Sequence, residues 1–295
     1  MTTRSKATLL GLSAVALWSL LALFTVGSAP VPALQLNAMC FTMGSVIGLI
    51  WMIRNNGFAM LKGVPLRIYI FGTVGLFGYH FLYFSALRLA PPAQAGLIAY
   101  LWPLLIVLFS GLLPGERLRG LHILGALIAF GGAILVFGDV DFDAEPEAFV
   151  GYALAALCAL TWSSYSVLSR KMGTVPTAAV TVFCIATALL SLLAHLALED
   201  TVWPETSLGW VSIAALGAGP VGLAFYTWDV GVKKGDIQLL GTASYAAPLL
   251  STLILVAFGF AAASANLILA AAMIAFGAGL AALASRSAKV PASTP

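Results

Sequence analysis

With only eleven acidic, fourteen basic and three histidine residues among 295, each ionisable group can be weighed singly for acid–base, nucleophilic or ion-binding chemistry. His80 stands between Tyr79 and Tyr83 in an otherwise apolar stretch, and an imidazole there needs a hydrogen-bonding partner or a wet cavity. It is therefore a functional candidate. His122 and His195 lie near the ends of apolar runs, within reach of water or headgroups, and read as structural. Asp229 is the one carboxylate inside an apolar run, and Lys233 follows one helical turn later. An (i, i+4) ion pair accounts for it, with a hinge-side or gating role as the alternative. Cys40, Cys158 and Cys184 fall in apolar runs without CxxC or nearby histidine spacing, so they read as small core residues and no metal site is expected. A single mid-run histidine with no acid partner is too little for an intramembrane enzyme, and no cofactor is expected.

Aromatic residues are the second group that hydrocarbon cannot fully satisfy. Trp18, Trp102 and Trp162, with Tyr79, Tyr83, Tyr100, Tyr165, Tyr226 and Tyr245, sit near the middle of apolar runs, and each carries an N–H or O–H that needs a partner. Packing between helices explains any one of them. Gathered around His80, they mark a candidate substrate path. Trp51, Trp203 and Trp210, with Tyr69 and Tyr152, lie at run ends and read as an interfacial belt.

The elements that must position these groups are helices in a bilayer. The chain is 61% hydrophobic and 8% charged, and a water-soluble domain of its size carries roughly three times that charge. A crossing helix needs about 20 apolar residues, which leaves room for about ten. Gly, Pro and charge punctuate ten spans, at 7–26, 32–53, 68–89, 92–113, 120–138, 149–169, 176–198, 208–232, 237–258 and 264–285. The first span reads as an uncleaved helix and not as a signal peptide. Basic residues then segregate: Arg4, Lys6, Arg54, Lys62, Arg67, Arg117, Arg119, Arg170, Lys171, Lys233, Lys234, Arg286 and Lys289 fall on the side of the termini, and only Arg88 falls opposite. Asp139, Asp141, Asp143, Glu145, Glu147, Glu199, Asp200 and Glu205 collect opposite. The positive-inside rule makes both termini cytoplasmic. The net charge of +3 therefore reflects topology, and nucleic acid is not implied.

Tyr100, Pro103, Leu104 and Leu105 recur as Tyr245, Pro248, Leu249 and Leu250, and a shift of about 145 residues also brings Trp18-Ser19 near Trp162-Ser163. The reading is an all-α polytopic protein of two five-helix repeats, 1–145 and 146–295. Five is odd, so the second copy is inverted, an arrangement that makes inward-open and outward-open states near-equivalent in carriers. Pro103 and Pro248 break matched spans, and Pro220, among Gly217, Gly219 and Gly222, loosens the eighth. Gly72, Gly75 and Gly78 give the third span a smooth packing face. These features place a central path between spans three, four, eight and nine.

Lys6-Ala7-Thr8-Leu9-Leu10-Gly11-Leu12 leading to Leu17-Trp18-Ser19, Tyr100-Leu101-Trp102-Pro103, and Ser244-Tyr245 with Pro248-Leu249-Leu250-Ser251 resemble stretches of the drug/metabolite transporter superfamily, in its EamA-type ten-span branch. The turn Gly115-Glu116-Arg117-Leu118 is similar to the one that closes the fourth EamA span; its counterpart Gly259-Phe260-Ala261-Ala262 lacks the acid. Trp228-Asp229-Val230-Gly231 resembles the end of the eighth span in the branch that exports aromatic amino acids. The resemblance covers essentially the whole chain. It implies an inner-membrane exporter of aromatic and other neutral amino acids, working by alternating access with no obligatory proton and no need to oligomerise. A transporter of another small metabolite or drug, with or without proton coupling, is the alternative.

Overall fold

The computed structural model describes residues 2–137, 145–259 and 264–287, and among these every regular element is helical. Ten apolar helices follow in chain order: α1 (Thr3–Gly27), α2 (Ala33–Arg54), α3 (Leu66–Leu89), α4 (Gln94–Ser110), α5 (Gly120–Val136), α6 (Ala148–Lys171), α7 (Ala179–Leu198), α8 (Ser207–Lys234), α9 (Ile237–Ala257) and α10 (Ala265–Ser285). Eight are long and apolar enough to cross a bilayer, and α4 and α5 are the shorter two. The expected spans agree to within a few residues. The fourth, expected over 92–113, ends at Ser110 and is broken after Ala99. The repeat boundary expected at residues 145 and 146 adjoins 138–144, which lie outside the described residues, as do Asp139, Asp141 and Asp143.

Local chemistry sets the ends. Thr2, Thr206 and Asp236 accept hydrogen bonds from the backbone N–H of Ser5, Gly209 and Leu239, capping α1, α8 and α9. The Glu199 carboxylate, from the end of α7, takes the N–H groups of Leu34 and Gln35 at 3.0 and 3.1 Å and so caps α2 from another chain segment. Gly115 and Gly259 turn the chain after α4 and α9 with φ of +80° and +78°, a region that favours glycine.

Helices pair across the halves: α5 with α10, α2 with α7, α1 with α8, α3 with α6 and α4 with α9. Exchanging each helix for the one five places along leaves this pairing unchanged, as an approximate two-fold axis requires. Small residues allow the approach. A Cβ on Gly231 would lie 2.5 Å from the Cα of Gly11, and one on Gly125 would lie 2.5 Å from the Gly277 carbonyl oxygen. Polar groups join α2 to α7, where Asn37 Nδ2 donates to Ser191 Oγ at 2.8 Å. Trp51, Trp203 and Trp210 are exposed, the last two stacked at 5.9 Å, as belt residues should be.

Candidate aromatic transport site

Five helices lose their regularity partway along their length. α3 widens to a π-helical turn over Val74–Gly78 and α8 does so over Gly219–Leu223, a shift of 145 residues that carries the repeat down to backbone detail. Pro220 has no N–H to give the preceding turn, which explains the second widening; in α3 the glycines meet the rings of their neighbours, Gly72 facing Phe183 and Gly75 facing Tyr165. α4 breaks between Ala99 and Trp102, and α9 between Ala243 and Ala246, each about one turn before its proline. α1 breaks between Trp18 and Leu21.

The breaks surround an aromatic box. Trp18, Trp102, Trp162 and Trp228 are all in mutual contact, with centroids between 5.0 Å (Trp18–Trp228) and 6.4 Å (Trp102–Trp162). Phe225 touches Trp18 and Trp162 and stacks on Phe41 at 5.3 Å. His80 meets Phe41 and Tyr79 edge-on, both at 5.1 Å, and Tyr79 runs parallel to Tyr83 at 6.2 Å. Each favourable ring pair contributes about 0.5–1.5 kcal/mol beyond contact area, so the box is a rigid unit.

Its polar groups are directed by the helix irregularities. Trp18 Nε1 donates to the Pro220 carbonyl at 3.1 Å, and Trp228 Nε1 donates to Ser166 Oγ at 3.1 Å. His80 Nδ1 lies 2.7 Å from the Leu76 carbonyl oxygen inside the α3 π turn. A carbonyl can only accept, so Nδ1 carries the hydrogen, and in the neutral ring Nε2 is left as the acceptor. The box residues hold no formal charge, and so the chemistry on offer is stacking plus neutral hydrogen bonding.

Burial gives the box a floor and a rim. Trp102, Trp162 and Trp228 are 4%, 3% and 1% exposed, whereas Trp18, Tyr79, His80, Tyr83 and Tyr100 are partly exposed. Along α3 and α4, Tyr83 and Tyr100 lie farther than His80 and Trp102 from the end that holds the termini. The rim therefore faces the opposite end. Below the floor, α4 and α9 close tightly, a Cβ on Gly241 reaching the Pro103 carbonyl oxygen at 3.1 Å.

The structure redistributes several expected site residues. Tyr165 is buried beneath the box, 5.3 Å from Trp162. Tyr226 points to the other side of α8, donating to the Gly44 carbonyl at 3.0 Å. Tyr245 is fully buried against Phe130 of α5, and its hydroxyl accepts from Leu104 N–H at 3.1 Å, which serves the broken α4 and not the box. The box rings thus come from α1, α2, α3, α4, α6 and α8, a correction to the path expected among spans three, four, eight and nine, because α9 turns its aromatic ring toward α5. Asp229 is 2% exposed and paired with Lys233 at 2.8 Å, with Thr177 Oγ1 donating to it at 2.7 Å. His122 and His195 are buried and bonded within the protein: His122 accepts from Arg119 N–H and contacts Ser285, and His195 contacts Glu199 and Thr201. Trp228, Phe225 and Phe41 were missed. The repeat held a signal for two of them, since the 145-residue shift carries Tyr83 and His80 onto Trp228 and Phe225.

The chain matches the EamA-like transporter family over residues 5–138 and 149–283. It is 53% identical to the aromatic amino acid exporter YddG of Ancylobacter novellus, over 96% of this chain and 99% of that one. It is 28% identical to the protein of the same name from Salmonella typhimurium, over 85% of this chain and 87% of that one. A solved structure described only as the crystal structure of a protein superposes with a TM-score of 0.91 at 52% identity, covering 97% of this chain and all of that one. The two matched stretches fall on the two sets of five helices, and the chain belongs to the EamA-like transporter family.

Proposed function

We propose that this chain exports aromatic and other neutral amino acids from the cytoplasm by alternating access, as a facilitator driven by the substrate's own gradient. The observation that carries the reading is the uncharged aromatic box, with His80 at its rim, in a chain 53% identical to an aromatic amino acid exporter. A side chain stacks on the rim rings, while the substrate's amino and carboxylate groups meet His80 Nε2, hydroxyls, water and backbone groups at the helix breaks. With no buried charge to match the zwitterion, such a site is permissive and weak. The termini face the cytoplasm, because basic residues crowd their end of the bundle. Trp18, Tyr79, His80, Tyr83, Tyr100, Trp102 and Trp162 bear on substrate; Pro103, Pro248 and Pro220 supply the bends. The chain acts by binding and release without chemical change.

Counterflow in proteoliposomes tests this: vesicles loaded with phenylalanine should take up labelled phenylalanine, tryptophan, leucine and other neutral amino acids. Failure to accumulate any of them, with monodisperse protein in the bilayer, refutes the amino acid assignment. The rival, an exporter of a different small metabolite or drug, predicts that failure.

A further inference from the structure

Four charged residues at the terminal end of the bundle take no part in the aromatic box. Glu116, in the turn after α4, ion-pairs with Arg170 at the end of α6, and its other oxygen lies 3.5 Å from Arg4 at the start of α1. The same Arg4 nitrogen lies 3.5 Å from Asp236, in the turn between α8 and α9. Arg170 also donates to the carbonyls of Val232 and Gly235, both at 2.9 Å. Thr8 Oγ1 accepts from Asp236 N–H at 2.9 Å, so the backbone of this turn is fastened to α1 as well. Glu116, Asp236 and Arg170 are largely buried. Two cations meet two anions, one of each from either half of the chain.

We infer that this quartet is a one-sided gate latch, which holds the cytoplasmic end shut and sets a resting state open to the opposite side. This rests on the alternating-access reading above. Opening at the terminal end requires α1 and α4 to part from α6 and α9, and that movement separates Glu116 from Arg170 and Arg4 from Asp236. Among the described residues the repeat shows no counterpart of this quartet at the other end. Its 145-residue shift carries Arg4, Glu116, Arg170 and Asp236 onto Phe149, Ala261, Thr25 and Pro91, none of them charged. The remaining ion pairs behave differently, because they occur at both ends. The same shift carries Arg88 onto Lys233: Arg88 binds Glu199 at the end of α7, and Lys233 binds Asp229 and the Val175 carbonyl just before α7. Those bonds fasten α3 to the end of α7 and α8 to the segment before α7, one at each end, so they add no one-sided bias. The quartet does. A charge-assisted hydrogen bond present in one state only shifts a two-state equilibrium by about tenfold.

The test is pulsed electron paramagnetic resonance on the full chain in nanodiscs. Spin labels go on exposed sites: Arg117→Cys with Lys171→Cys across the latch, and separately Leu89→Cys with Ser207→Cys at the other end. The three native cysteines are buried. Without substrate, the parent should show one short distance across the latch. The near-isosteric Glu116→Gln, and independently Arg170→Gln, should raise a longer component about tenfold, with matching contraction of the opposite pair. Lengthening without that contraction signals general loosening and overturns the latch. So does an unchanged distribution in both variants. In that case a longer component in the parent with saturating phenylalanine leaves the transport reading standing, and its absence there refutes alternating access too.

Discussion

Trp18 donates its indole N–H to the Pro220 carbonyl at 3.1 Å, joining the point where α1 breaks to the π-helical turn of α8. One residue belongs to each half of the chain. The bond satisfies a donor that lies at hydrocarbon depth and places the Trp18 ring against Trp102, Trp162, Trp228 and Phe225.

Trp18→Phe retains an aromatic ring, although a smaller one, and deletes the donor. Leaving the Pro220 carbonyl without this partner costs about 1–2 kcal/mol, and so amino acid flux should fall roughly five- to thirtyfold while the protein remains monodisperse. Proteoliposome flux normalised to reconstituted protein is the measurement. Wild-type flux would show that Trp18 acts through its ring alone.

Trp102→Ala and His80→Ala should each lower transport without loss of folded protein, for different reasons. The first removes the floor ring that contacts the three other indoles of the box; the second removes Nε2 from the rim. Losses of about 1–3 kcal/mol in substrate interaction correspond to about five- to more than hundredfold. Binding of labelled phenylalanine, followed beside flux, separates a weaker site from a slower cycle. Unimpaired binding and flux in both variants would move the site elsewhere.

Much of this arrangement was legible in the chain because membrane solvation leaves few options: apolar runs must be helices, basic residues mark one side, and matched prolines mark matched bends. Trp18, Trp102 and Trp162 were legible for the same reason, as mid-span donors. Periodicity does not report which way a ring turns once its helix breaks. Tyr100 and Tyr245 are equivalent in the repeat, yet Tyr100 lines the rim and Tyr245 is buried against α5. Trp228 counted only toward the family resemblance and not as a site residue, because it adjoins the Asp229–Lys233 pair and reads as the end of a span. The π turn of α3 contains no proline, and so only its glycines hinted at it.

Gly231→Ala should destabilise the fold more than its size suggests. The added methyl would sit 2.5 Å from the Gly11 Cα, and backbone, unlike a side chain, cannot rotate aside. Overpacking of this kind costs about 1–3 kcal/mol, so the thermal midpoint in detergent should drop by several degrees. An unchanged midpoint would mean that α1 and α8 separate freely. Gly63→Ala, at a surface turn with open space around it, strains only its own φ of +84° and should cost less.

Sidedness is checked with reporters at Asp141 and at the C-terminus. The acidic stretch after α5 and the basic end of α10 should be labelled from opposite faces of intact cells, Asp141 from outside. Labelling of both from one face would break the odd number of crossings in each half and, with it, the inversion.

Energy coupling separates the proposed facilitator from a proton-driven carrier, which keeps an acid in the path so that substrate and proton compete for one site. Here Asp229 is no part of the aromatic box: Lys233 and Thr177 hold it near the end of α8 that lies beside the termini, and the box contributes hydrogen bonds without formal charge. Flux in proteoliposomes should therefore proceed down an amino acid gradient with no pH difference imposed, and an imposed difference should change the initial rate less than about twofold. Asp229→Asn removes the charge with little change of shape, but leaves Lys233, which is 5% exposed, without its counter-ion. Its first effect should thus be a lower thermal midpoint, by about 3 kcal/mol or more in stability. Asp229→Asn with Lys233→Met removes both charges, should recover part of that loss, and should still transport without a pH gradient. Flux that vanishes in the folded double variant, or that requires the gradient in the parent, would make Asp229 a proton carrier and replace the facilitator with an antiporter.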